Sequence, residues 1–234
     1  MIGIAVIIGE YKAYSQTIGV YSALVMSERQ PGVHVYVNVE GDFGSDIWRP
    51  LREMIRNRTA LEVMDPPATA RQRDQDQSAR LGPIVAARNA ARNWALRSDM
   101  SSLLFIDSDV EPEPDGLERL LAHNRALVGG MVPGRGAHAA HRYVFGPQTN
   151  VGNLIACDYG TCGYMLVRRD LLEKVEFRWG PSRRQPATML SEDPAFAEDA
   201  LMAGFGRFYV DPNATSRHHD NPGRPLHIGG VAQF

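Results

Sequence analysis

Uninterrupted apolar runs alternate along this chain with stretches whose apolar residues recur every three or four positions. Residues 2–8 are a run of the first kind and predict a fully buried strand, closed by the turn Gly9-Glu10-Tyr11. Over 14–29 Ile18, Tyr21, Leu24 and Val25 recur with helical spacing, and the pattern stops before Pro31-Gly32. Residues 33–39 then alternate with the period of a strand, ending at Glu40-Gly41-Asp42. Strand, helix and strand in this order make the unit of a parallel sheet. A helix over 46–58 and a short strand over 60–64 repeat the theme. Residues 65–81 begin with Pro-Pro or soon reach it and hold almost nothing to bury, which predicts a loop, with a solvated helix start as the alternative. Gly82-Pro83 opens a helix over 84–96 whose inner side carries Ile84, Ala87, Ala91, Trp94 and Ala95.

The next run, Leu103-Leu104-Phe105-Ile106, leads straight into Asp107-Ser108-Asp109, and Pro112 bars its continuation as a central strand. Further along, the pattern predicts a helix around Leu117–Leu121, a strand over 126–132, a loop over 133–153 and a strand over 164–167. A helix over 169–175, a polar loop over 181–190, a helix over 193–203 ending at Gly204, and a last strand over 207–211 precede a Pro-, Gly- and His-rich tail. No repeat and no linker divides the chain, so the expectation is a single α/β domain.

Composition narrows the function classes. The 234 residues are 44% hydrophobic and 22% charged, with a net charge of −2, so no broad positive field suits a nucleic-acid backbone. Residues 2–8 lack the basic flank of a signal peptide, and no run has the length of a membrane span. The two cysteines, Cys157 and Cys162, make no disulfide framework, which with the preceding points places the protein in a reducing cytoplasm as an expectation. His138, His141, Cys157 and Cys162 are too loosely spaced to read as a closed zinc site.

Asp107 and Asp109 are the strongest candidate chemistry. Ligands of open α/β sheets collect beyond the carboxyl ends of the strands, and two carboxylates there repel unless a cation or donors compensate. A hard ion such as Mg²⁺ or Mn²⁺, shared with substrate phosphates, would do so. The plain alternative is a pair of acids capping a strand and the following helix.

Four ordered stretches carry a resemblance to a known family. They are Ala87-Arg88-Asn89, the Leu103–Asp109 segment with its DxD motif, Gly160–Arg169, and Ser191-Glu192-Asp193-Pro194-Ala195-Phe196 with Gly204-Phe205 and Tyr209–Pro212 behind it. In this order and spacing the chain resembles the GT-A glycosyltransferases, in particular the family 2-like group, over about residues 82–219. The resemblance implies a single Rossmann-like GT-A domain with a mainly parallel mixed sheet flanked by helices, its nucleotide-binding half at about 1–110 and its acceptor half at about 111–234. It implies transfer of a sugar from a nucleoside-diphosphate sugar to a hydroxyl acceptor, with Mn²⁺ or Mg²⁺. By the same resemblance Asp109 binds the metal, Asp107 holds the ribose or the metal's water shell, and His218, seven residues after Asp211, is the third ligand, with its neighbour His219 as the alternative. Asp193, with Glu192 beside it, is the catalytic acid pair, Asp193 serving as general base if the reaction inverts. Gly9, Glu10, Glu40, Arg88, Asp107, Ser108, Gly163 and Arg217 are the implied donor-binding residues. The chain departs from the family's pattern in lacking Pro after the first strand and in having Glu40 where an Asp is common.

Two other functions compete. A haloacid-dehalogenase-like phosphatase also places two Asp after a strand, but there a Thr or Val follows two places beyond the second, where this chain has Glu111. A nucleotide-sugar binding module without catalysis would have no need to keep Asp107, Asp109, Asp193 and His218 together.

Overall fold

The computed structural model describes residues 1–8, 17–40, 49, 53, 59–64, 77–134, 144–219, 226–228 and 231–233. In chain order the first half holds β1 (Ile2–Ile8), α1 (Thr17–Arg29), β2 (Val33–Glu40), β3 (Thr59–Met64), α2 (Gln77–Arg97), β4 (Ser102–Asp107) and β5 (Val110–Pro112). Then come α3 (Gly116–Ala122), β6 (Leu127–Met131), β7 (Val144–Phe145), β8 (Thr149–Val151), β9 (Leu154–Cys157), β10 (Tyr159–Gly160) and β11 (Tyr164–Arg168). The last elements are α4 (Arg169–Lys174), β12 (Gly180–Pro181), β13 (Met189–Leu190), α5 (Glu192–Met202), β14 (Phe208–His218), β15 (Leu226–Ile228) and β16 (Val231–Gln233).

The main sheet runs in the order β16-β15-β14-β6-β11-β4-β1-β2-β3. From β14 to β3 the strands point one way, except β11, which lies antiparallel to both β4 and β6. This is a mixed, mainly parallel central sheet flanked by helices. The reversal of β11 has a functional consequence. It brings the start of β11 to the sheet edge where β4 ends, and β14 delivers its own carboxyl end to the same edge.

Both faces of the sheet are buried, which is why the central strands read as continuous apolar runs instead of alternating ones. Leu103 and Phe105 join the core on one face with Ala91 and Ala95 of α2, Leu171 of α4 and Phe196 of α5. Leu104 and Ile106 join the other with Val20 and Ala23 of α1 and Leu117 and Leu120 of α3. Each of the Val, Leu, Ile and Phe side chains among these, essentially excluded from water, contributes about 1.5–3 kcal/mol relative to exposure.

Several boundaries differ from the sequence-based expectation. Helix α2 begins at Gln77 and contains Pro83; its first turns are polar and carry no apolar period, so the expected loop over 65–81 partly belongs to the helix. Of the helix expected over 46–58 only Arg49 and Glu53 are described, and both are helical. The loop expected over 133–153 includes β7 and β8. The last strand extends well past residue 211, to His218. It first pairs parallel to β6, breaks register between Asp211 and Thr215, and then pairs antiparallel to β5. Asp211 organises that bend: its Oδ1 accepts from the Asn213 amide at 2.8 Å, and its Oδ2 lies 2.8 Å from His123 Nε2. Among the described residues no helix is long and apolar enough to cross a membrane.

Gly130 sits where β6, β11 and β14 meet. A Cβ there would fall onto the Tyr164 ring and within 2.6 Å of the Ala214 carbonyl oxygen. Gly130→Ala is therefore expected to destabilise the fold by about 1–3 kcal/mol, read as a lower urea midpoint; an unchanged midpoint would show that Tyr164 yields freely.

Candidate active site

The site is built on Arg88, Asp107, Glu192 and Asp193. Arg88 stands on the inner side of α2 and is only 3% exposed. Its guanidinium donates to Asp107 Oδ1 at 3.1 Å and to the Cys162 carbonyl at 3.4 Å, and approaches Glu192 Oε1 at 3.9 Å. The same cation lies 5.7 Å from the Phe105 ring centroid and 5.9 Å from that of Phe177, close enough for the ring faces to help hold it away from water. Burial alone disfavours the charged form, but Asp107, Asp193 and Glu192 outweigh it and push the Arg88 pKa above the usual arginine range.

Asn89 does not touch its neighbour: its side chain donates to the Phe177 carbonyl and accepts from the Phe177 amide, both at 2.9 Å. Phe177 is then stacked on Phe196 of α5 with centroids 4.2 Å apart. Asn89 thus fixes the aromatic wall behind the cation. Arg92, one turn further along α2, donates to the Leu172 and Val175 carbonyls at 2.6 and 3.0 Å and closes the carboxyl end of α4.

Asp107 ends β4, and its amide donates to the Gly163 carbonyl at 2.9 Å. A Cβ on Gly163 would lie 2.8 Å from Asp107 Oδ2. The glycine is needed for space, since its φ is not in the left-handed region. Ser108 is fully buried, and its Oγ has no hydrogen-bond partner among the described residues. Its carbonyl accepts from the Gly19 amide at 3.1 Å, which seats the start of α1 against the Asp107–Asp109 turn.

Glu192 and Asp193 open α5, whose positive end favours carboxylates. The Asp193 Oδ1 is nevertheless closed off from water and has no hydrogen-bond partner among the described residues. Burial and the neighbouring Glu192 carboxylate, opposed by Arg88 and by a hydrogen bond with Cys162, push the Asp193 pKa up to about 6. Cys162 is buried, and burial and Asp193 hold its thiol protonated, well above the usual thiol range, so that it donates to the carboxylate. Periodicity carried no signal for this contact, because Cys162 lies between strands. Tyr159 of β10 is a further neighbour: burial first, then Asp193, raises its pKa.

Asp109 and His218 meet on the far side of the turn. Both are buried, at 3% and 6% exposure, and His218 Nε2 lies 3.7 Å from Asp109 Oδ2. His218 Nδ1 is 3.0 Å from the Pro133 carbonyl. A carbonyl only accepts, so Nδ1 carries a proton, and a neutral ring turns its Nε2 lone pair toward the carboxylate. A carboxylate and an imidazole nitrogen at this separation can share a divalent cation, and the ring's other nitrogen is anchored as metal-bound imidazoles usually are. Among the described residues no third His, Cys, Asp or Glu joins them as a ready set. Asp107 is engaged with Arg88 instead. Magnesium-type sites commonly use one or two protein ligands and take the rest from phosphates and water, so the pair fits such an ion.

The other expected residues lie elsewhere. His219 turns to Glu111, with 2.7 Å between His219 Nε2 and Glu111 Oε2. Arg217 is exposed beside its register partner Glu111 and lines a cleft of about 210 Å³ with Tyr21, Ser22 and Glu113. Alternation along β14 sets it opposite His218. Glu40 closes β2; Gly9, Glu10, His138 and His141 lie outside the described residues. Cys157 donates to backbone carbonyls at 3.5 and 3.6 Å, and burial raises its pKa to about 11.

No family model matches the chain, and no curated protein matches it in sequence. Solved structures do match. A197 from STIV is 13% identical, with a TM-score of 0.54 over 100% of this chain and 95% of that one. S. aureus TarS 1-349 in complex with UDP is 17% identical, with a TM-score of 0.53 over 92% of this chain and 59% of that one. The mannosyltransferase PcManGT from Pyrobaculum calidifontis, in complex with GDP-Man and Mn²⁺, is 15% identical, with a TM-score of 0.53 over 91% of this chain and 55% of that one. The chain thus spans little more than half the length of the last two. At these identities the likeness is one of fold, and the fold is GT-A-like.

The raised Asp193 pKa makes a stability prediction. Below the ordinary value of 3.8 the group is neutral in both folded and unfolded chains; above about 6 it is charged in both, and the folded state bears the whole penalty. Asp193→Asn is expected to stabilise the protein by about 1–3 kcal/mol at pH 8 and by little at pH 4. Urea titrations at the two pH values check this, and equal effects would count against the raised pKa.

Proposed function

We propose that this protein is a metal-dependent glycosyltransferase that moves a sugar from a nucleoside-diphosphate sugar to a hydroxyl acceptor. The observation that carries the reading is the Asp109–His218 pair: a buried carboxylate and an imidazole of fixed tautomer, 3.7 Å apart at the ligand-binding edge of a GT-A-like sheet. Asp109 and His218 would hold Mn²⁺ or Mg²⁺, which, when bound, neutralises the charge that gathers on the departing diphosphate. Asp107, fixed by Arg88, would receive the ribose or a water of the metal. Ser108, buried beneath the turn, and Gly163 would support the donor site from within; Gly9, Glu10 and Glu40 complete it in this reading. Arg217 would reach the diphosphate only from the outer side of β14.

Asp193 is the proposed general base. A carboxylate with a pKa near 6 is largely ionised at neutral pH yet takes a proton readily. Cys162 and Arg88 hold it in place, and Glu192 keeps its pKa high. That the solved structures of similar fold include one with UDP and a mannosyltransferase with GDP-Man and Mn²⁺ supports a nucleotide-sugar donor. A phosphatase of the haloacid-dehalogenase type would need Asp107 as nucleophile, whereas its Oδ1 here receives Arg88.

Incubation with a panel of nucleotide sugars and Mn²⁺ tests the proposal. Release of nucleoside diphosphate supports it, binding without turnover supports a binding module, and phosphate release from simple phosphoesters supports the phosphatase. Asp109→Ala is expected to abolish Mn²⁺-dependent donor binding in calorimetry; unchanged affinity would remove its assigned role. Asp193→Asn is expected to bind donor normally while slowing transfer by about 10²–10⁴-fold; a rate near that of the unaltered protein would exclude it as the base.

A further inference from the structure

Two adjacent histidines near the end of β14 face different carboxylates. His218 lies against Asp109, and His219 against Glu111. On one side the polypeptide that carries them is held over the Asp107–Asp109 turn by a short ladder to β5; on its other side His218 pairs with His227 of β15. Strand β5 has only three residues, pairing Ser216 with Pro112, Arg217 with Glu111 and His218 with Val110. Pro112 has no amide to give. The ladder's outer end is closed by His219, whose amide donates to the Asp109 carbonyl at 2.8 Å while its ring reaches Glu111 Oε2 at 2.7 Å. These contacts attach the residue after one member of the proposed metal pair to the backbone of the other member. The His219 side chain is 11% exposed and that of Glu111 33%, so water competes with the contact less than it would on an open surface.

We propose that Glu111 and His219 are positioning residues: their contact clasps the end of β14 onto β5 and keeps the His218 ring at a separation from Asp109 that a divalent cation spans. The inference rests on the metal role proposed for Asp109 and His218. It assigns His219 a purpose other than metal ligation, since the nitrogen that would bind a cation is directed at Glu111. It also gives Glu111 a role beyond that of a solvated acid following the DxD motif. Without the clasp the last rung of a three-residue ladder frays, the imidazole loses its alignment, and the cation is held more weakly.

The test is a Mn²⁺ titration of the full chain, followed by the electron paramagnetic resonance signal of free Mn²⁺. Glu111→Ala and His219→Ala are each expected to weaken Mn²⁺ binding about tenfold or more, with circular dichroism unchanged in metal-free buffer. The double variant is expected to be no worse than either single one, because both remove the same contact. Glu111→Gln, which keeps an oxygen acceptor for the imidazole N–H, is expected to recover most of the affinity; this variant also decides the matter if an alanine variant fails to fold. Binding at the original affinity in Glu111→Ala and Glu111→Gln, while His218→Ala has lost it, overturns the clasp and leaves the metal pair standing. Retained binding in His218→Ala, or no binding by the unaltered protein, overturns both.

Discussion

The buried guanidinium of Arg88 is the interaction around which this site is arranged. It stands among Asp107, Asp193 and Glu192, and all of them act to keep it charged. Removing Arg88 would be far more damaging than its net contribution suggests, because it is the cation these acids share and they would be left together without it. Arg88 also links elements distant in sequence: the end of β4, the start of α5 and the segment before β11. The aromatic wall of Phe105, Phe177 and Phe196 makes that junction rigid. Phe177 meets Phe105 edge-on at 5.1 Å and lies flat on Phe196, and Asn89 fixes its backbone. A cation held this firmly orders the acids around it, so their geometry precedes any ligand.

Sheet topology supplies the rest of the arrangement. A strand running with β4 would have carried Gly163 to the opposite edge; the antiparallel direction of β11 puts it against the Asp107 carboxylate. The bend at Asp211 likewise lets β14 leave β6 and cross to β5, and without it His218 would not arrive beside Asp109. Asp211 is held by His123 and by the Asn213 amide, so a contact on the α3 side of the sheet sets where the far end of β14 lands.

What the sequence disclosed follows from this division. The strands buried on both faces were legible as apolar runs, and the acids at the end of β4 were legible because charge follows such a run without a break. His218 was reached by counting from Asp211, a step taken from a family resemblance, since no hydrophobic period extends through a bent strand. The polar first turns of α2 were read as loop because they bury nothing that a period could reveal. Adjacent helical residues do not share a face, which is why Asn89 serves Phe177 and not its neighbour Arg88. The Cys162–Asp193 contact was invisible, because it joins a turn to a helix start across 31 positions of chain and neither residue takes part in any repeating pattern. The direction of β11 was equally hidden, for a strand's period is the same whichever way it runs.

The acids at this edge divide into two electrostatic groups. Asp107, Glu192 and Asp193 share a cation that the protein provides, the guanidinium of Arg88. Asp109 lies instead against the His218 imidazole, whose Nδ1 faces the Pro133 carbonyl. In one group the acids gather around a cation of the protein; in the other, under the proposed metal role, a bound cation would lie between carboxylate and imidazole. The division suits a reaction in which one carboxylate must hold a proton-accepting position throughout while negative charge gathers elsewhere and then departs. Without such a cation, a diphosphate approaching this edge would meet carboxylates with nothing to bridge them. Without Arg88, the acids at the end of β4 and the start of α5 would repel one another, and Asp193, already raised to about 6 beside it, would be raised further and ionise less readily as a base.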